Sequence, residues 1–96
     1  MKLRWLKRAH AQLQQQLAWW RENAASSRPL EDEVQRVQAL LRATPYAGVR
    51  VLNARPGTRR VLLRTQHLLY YRVDEKAGFV EVLRFWHASR GRTPKL

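Results

Sequence analysis

The sequence predicts an α+β fold, an N-terminal helical hairpin packed on one face of a small curved antiparallel β-sheet. Three observations predict it. Before Pro45 the apolar residues recur at intervals of three and four, the repeat of a helix with one buried face. After Pro45 the interval changes to two, the repeat of a strand. The alternating runs are also short and separated by turns marked by Pro56-Gly57 and Asp74–Gly78.

In Leu6–Asn23 the residues Leu6, Ala9, Leu13, Leu17 and Trp20 form one apolar stripe, with Gln12, Gln14, Gln15, Gln16, Arg21 and Glu22 largely outside it. A polar connector, Asn23–Arg28, leads to Pro29, which is tolerated in a first helical turn. Glu31, Asp32 and Glu33 then set negative charge at the positive end of the helix dipole. Leu30, Val34, Val37 and Leu41 make the second stripe. Beyond it, Val49–Leu52 reads as a short strand. Thr58–Thr65 alternates Arg60, Leu62 and Arg64 with Arg59, Val61 and Leu63, and His67–Val73 alternates Leu68, Tyr70 and Arg72 with Leu69, Tyr71 and Val73. Phe79–Trp86 closes the sheet, and Leu3-Arg4-Trp5 is placed as a short N-terminal strand to which the helical excursion returns the chain. Residues 1–96 therefore read as one domain: a hairpin over about 6–44, a sheet over about 48–87 and a basic tail at 88–96.

The 96 residues carry 19 Lys and Arg against 7 Asp and Glu, a net charge of +12. An apolar content of 45% is ordinary for a globular domain, so the charge does not signal disorder. Fifteen of the cations are arginine, whose planar fork suits phosphate and carboxylate alike. From Tyr46 onward eleven cations face three acids, so the sheet and tail are more one-sided than the helices. That concentration calls for an anionic partner. The absence of cysteine excludes disulfides, thiolate metal sites and a cysteine nucleophile. No metal-ligand spacing, glycine-rich phosphate loop or Ser-His-Asp arrangement is present, so neither metal nor cofactor is expected. The longest apolar runs, Leu17–Trp20 and Leu68–Tyr71, have four residues against the roughly 18 needed to span a bilayer. The basic start, Met1 to Arg8, is not followed by an apolar signal segment, which points to a cytoplasmic protein away from membranes.

If Val61, Leu63, Leu69, Tyr71 and Val73 face the helices, Arg60, Arg64, Tyr70 and Arg72 share the free face. The last strand leaves a choice. Arg84 and Trp86 outward places Glu81 inward beside Leu83 and Phe85, whereas the reverse register buries Arg84. We take Arg84 as outward, in which case an interior Glu81 needs a cationic neighbour. The tail adds His87, Arg90 and Arg92. Such a face suggests chemistry on RNA, with His87 as acid or base, Arg60 and Arg84 on the phosphate and Tyr70 stacked on a base. The plainer alternatives are a solvated arginine face and a strand-ending histidine. Trp5, Trp19 and Trp20 read as core, and His10 and His67 have no evident partners.

Taken in order, these segments resemble the RelE/ParE superfamily of toxins from type II toxin–antitoxin systems. The resemblance rests on a Trp-containing first strand, on Thr44-Pro45-Tyr46-Ala47-Gly48 after the second helix, and on Gly57–Leu62. It rests above all on Leu69-Tyr70-Tyr71-Arg72-Val73 followed by Val80 to Arg90, in which a final strand runs into His87 and Arg90. It spans about Leu3 to Arg92. It implies a toxin held inactive, as a hetero-oligomer, by a cognate acidic antitoxin. The central strands lack lysine and the tail after Arg90 lacks tyrosine, which departs from the RelE-like nuclease set and favours ParE-like poisoning of DNA gyrase. The alternative implied is a RelE-like mRNA endonuclease working on the ribosome, with His87, Arg84, Arg60 and Tyr70 as the catalytic group. A non-toxic nucleic-acid-binding module is a third reading. Arg59, Arg60, Arg64, Arg72, Arg84, Trp86, His87, Arg90 and Arg92 are the expected contacts for target or antitoxin.

Overall fold

The computed structural model describes residues 1–90, Arg90 by its backbone alone, so Arg92 and the end of the expected tail lie outside the described residues. The chain runs β1 (Lys2–Trp5), α1 (Lys7–Asn23), α2 (Arg28–Ala43), β2 (Val49–Arg50), β3 (Thr58–Leu62), β4 (His67–Asp74), β5 (Phe79–His87) and a 3-10 turn at Ala88–Arg90. The five strands form one sheet in the order β1-β5-β4-β3-β2. The expected antiparallel sheet is in fact mixed, because β1 pairs with β5 in parallel. Two helices between β1 and the remaining strands give a connection long enough for a parallel neighbour, which a tight turn cannot.

Both helices bury the stripes read from the sequence: Ala9, Leu13 and Leu17 on α1, and Leu30, Val34, Val37 and Leu41 on α2. They meet Leu63, Leu69, Tyr71, Val80, Val82 and Phe85 from one face of the sheet in a single core. Trp5 packs against this core with its ring tilted on Phe85, and its Nε1–H donates to Gln38 Oε1 at 2.9 Å. Trp20 also packs there, but Trp19 is 55% exposed and is not core.

Two glutamines of α1 turn toward the sheet rather than away from it. β1 ends at Trp5, opposite Val82, so among the described residues the β5 backbone beyond that point has no strand on that side. Gln12 Oε1 accepts the Phe85 N–H there at 2.8 Å, and one turn later Gln16 Oε1 receives His67 Nε2 at 2.8 Å. A buried backbone donor must be satisfied by some acceptor, and here a side chain replaces the missing strand.

Glu33 does more than complement the helix dipole. Its carboxylate takes Arg36 at 2.7 and 3.1 Å and the backbone N–H of Arg64 at 2.6 Å, tying α2 to the β3–β4 turn. The Arg36 guanidinium and the Arg64 N–H hold its pKa down at about 2 against the cost of burial. At the other end of the sheet, the Gly48 N–H donates to the buried Tyr71 hydroxyl at 2.8 Å. A β-carbon on Gly48 would lie 2.7 Å from that hydroxyl and 2.8 Å from the Arg60 carbonyl, so the close approach requires glycine.

Candidate functional site

The face of the sheet away from the helices is set by the cross-strand register. One row across it is Thr58, Arg72, Glu81 and Arg4; the next is Val49, Arg60, Tyr70 and Arg84; a third is Leu62, Leu68 and Trp86. The structure thus brings Arg60, Arg72, Arg84, Tyr70 and Trp86 to one face, as expected. Arg64 follows β3 in the turn and its side chain is exposed.

A β-bulge resolves the choice of register in the last strand. The pairing steps from Tyr70–Arg84 to Tyr71–Val82, so Leu83 is the extra residue. An extra residue shifts the alternation by one. Phe85, Val82 and Val80 all face the core, while Trp86, Arg84 and Glu81 all face outward. Glu81 is therefore not interior, contrary to the expectation for an outward Arg84. Its carboxylate is held on the outer face by Arg4, at 2.8 and 3.0 Å, and the Arg4 guanidinium lies 4.4 Å from the centre of the Phe79 ring.

The outer face is uneven in charge. Glu81 and Asp74 sit toward the β4–β5 turn, near Arg4 and Arg72, whereas the half carrying Arg60, Arg84, Leu62, Leu68 and Trp86 presents no carboxylate from its strands. The Arg84 guanidinium donates to the Leu83 carbonyl at 2.6 Å, and burial together with the Arg8 charge pulls its pKa below the usual arginine range. Leu62 and Val49 are 53% and 67% exposed beside these cations.

Two expected members of the group are placed elsewhere. Tyr70 lies in the arginine row but is 1% exposed, so its ring offers no free face for a base. His87 pairs with His67, two positions from the inward Phe85, and so lies on the helix side of the sheet, opposite the Arg60–Tyr70–Arg84 row. The four residues expected to act together on RNA do not converge. Arg59 also faces the helix side. Its Nη1 donates to the carbonyls of Gly48 at 2.9 Å and Tyr46 at 3.2 Å, and its guanidinium lies over the Tyr46 ring. Arg90 falls in the 3-10 turn.

The sequence reading missed His67. It is fully buried, stacked on Phe85 with centroids 5.0 Å apart and met edge-on by His87 at 4.9 Å. Gln16 Oε1 can only accept, so His67 Nε2 carries the proton, and Nδ1 takes the Thr65 hydroxyl at 3.0 Å. Burial, with His87 nearby, pushes its pKa down to about 4. Its place in the alternation, in phase with Leu69 and Tyr71, was the available signal.

Among the described residues no group of three or more His, Cys, Asp or Glu is placed to hold a metal ion. No helix among them is long and apolar enough to cross a membrane.

The fold is that of the RelE and ParE toxins. A structure of the chromosomal ParDE toxin–antitoxin system from P. aeruginosa superposes with a TM-score of 0.71 at 20% identity, covering 91% of this chain and 95% of that one. The isolated E. coli RelE toxin superposes with a TM-score of 0.64, also at 20% identity, covering 93% of this chain and 85% of that one. No curated protein sequence matches. The sequence profile of the ParE toxins of type II toxin–antitoxin systems (parDE) matches residues 3–91, and the chain belongs to that family.

Proposed function

We propose that this toxin arrests bacterial growth in the cytoplasm by poisoning DNA gyrase without catalysing a reaction itself, and that a cognate acidic antitoxin neutralises it. Beside family membership, one observation supports this reading over RNA cleavage. His87 and the Arg60–Tyr70–Arg84 row lie on opposite faces of the sheet, and Tyr70 is buried. General acid–base catalysis needs its groups within hydrogen-bond reach of one reacting phosphate, and side chains on opposite faces cannot share it. The antitoxin contact proposed is the half of the outer face that carries Arg60, Leu62 and Val49, whose strands present no carboxylate among the described residues. Its cations and exposed Leu62 and Val49 suit an acidic segment that also carries apolar side chains.

The test is a supercoiling assay with purified toxin and gyrase, beside toe-printing on translated mRNA. Loss of supercoiling that is restored by the antitoxin, with intact message, is the expected result. Codon-linked cuts lost in His87→Ala, with gyrase unaffected, would overturn the proposal in favour of an mRNA endonuclease. Tight, salt-sensitive nucleic-acid binding with harmless expression would point instead to a plain binding module.

A further inference from the structure

Between the C-terminal half of α1 and the end of β5 lies a cavity of about 560 Å³, lined by Gln16, Trp19, Trp20, His87 and Ser89. It lies on the helix side of the sheet, away from the arginine row, and the gyrase reading does not use it. We propose that this cavity binds a nucleobase carried on a phosphate, with Trp19 as the stacking surface and Gln16 and His87 as hydrogen-bond donors.

The apolar wall comes first. Trp19 is 55% exposed beside the half-buried Trp20, so a large part of an indole is open to solvent in the lining of a cavity. A base has a flat surface of matching size, and stacking on an aromatic side chain stabilises it whatever its identity.

The polar atoms are one-sided. The Gln16 carbonyl oxygen is engaged by His67 Nε2–H, which leaves the two N–H groups of its amide as donors. His67 is stacked on Phe85 and fully buried, and it stays neutral over the physiological range, so this orientation is fixed by a group that never contacts the ligand. His87 Nδ1 accepts from Ser89, from the backbone N–H at 3.1 Å and from the hydroxyl at 2.5 Å, so the donor its ring has to offer is Nε2–H. Among the described residues the lining therefore presents these donors and no carboxylate, in a protein of net charge +12. A base edge supplies ring-nitrogen and carbonyl acceptors, and its phosphate is drawn by the charge. A phenylalanine or tryptophan ring of a protein partner supplies neither.

The test is quenching of tryptophan fluorescence in the purified full chain, titrated with AMP, GMP, CMP and UMP and, for comparison, with ribose 5-phosphate. Saturable quenching by at least one nucleotide is expected, with ribose 5-phosphate at least tenfold weaker. Trp19→Ala, at an exposed position, should weaken binding about tenfold or more, read by calorimetry. Gln16→Met should weaken it several-fold with the circular dichroism spectrum unchanged. A short single-stranded oligonucleotide separates the sources of the ligand. Tighter, Trp19-dependent binding of the oligonucleotide assigns the site to a strand, and equal affinity assigns it to free nucleotide. Ribose 5-phosphate binding as well as the nucleotides, or nucleotide affinity unchanged in Trp19→Ala, would overturn the proposal. So would the absence of nucleotide binding, and an antitoxin or gyrase affinity that then depends on Trp19 would make the cavity a protein contact.

Discussion

His67 makes the stability of this protein depend on pH in a window where few other groups act. The ring is buried and neutral with a pKa of about 4 against 6.5 for a free histidine. The unfolded chain therefore binds a proton that the folded chain refuses between those values. Stability is whole above pH 6.5, falls as the pH drops toward 4, and loses nothing more from this residue below that. At about 1.36 kcal/mol per pH unit the loss is roughly 2 kcal/mol at pH 5 and about 3 kcal/mol in all. Urea unfolding of the full chain at pH 7.5 and pH 5 should differ in midpoint by about 1–2 M, given a slope near 1–1.5 kcal/mol per molar for a chain of this size. In His67→Phe, which keeps a ring beside Phe85, the midpoint should be lower at pH 7.5 and nearly level down to pH 5. Glu33 acts further down: its pKa of about 2 stabilises the fold above 4.5, and that contribution is lost as the pH falls from 4.5 toward 2. Both proteins should therefore destabilise below pH 4.5. A wild-type midpoint level between pH 7.5 and 5, or the same slope in His67→Phe, would refute the reasoning.

Other substitutions test the contacts that shape the sheet. Gly48→Ala forces a methyl group against the Tyr71 hydroxyl and the Arg60 carbonyl and should cost roughly 1–3 kcal/mol in urea unfolding. Gln12→Leu leaves the Phe85 N–H without its acceptor and should cost about 1–3 kcal/mol, with amide exchange at Phe85 accelerated. Gln66 holds a φ of 67° in the β3–β4 turn, so Gln66→Gly should raise the thermal midpoint, by up to about 1 kcal/mol in stability, because glycine adopts that conformation without strain.

Much of the fold was legible because helices and strands place apolar residues at different intervals. The two helical stripes and the core-facing residues of β3 and β4 were readable from spacing alone. The site was less so. Arg60, Arg72, Arg84 and Trp86 were assigned to the right face, but Glu81 and His87 were not settled. Alternation carries a face assignment along a strand only while the pairing is regular, and the bulge at Leu83 breaks that count. Gln12 and Gln16 were read as lying largely outside the apolar stripe, because polarity does not reveal that a backbone donor or a buried ring needs an acceptor.

By itself the sequence determined the class of fold, the concentration of positive charge in its second half and, through the order of its motifs, the family. These follow from composition and local periodicity, which each segment carries within itself. Only the tertiary structure decided that β1 runs parallel to β5, that Tyr70 is buried and that His87 stands on the far side of the sheet from the arginines. Those outcomes depend on pairing between residues distant in the chain, and one extra residue in one strand is enough to redirect them.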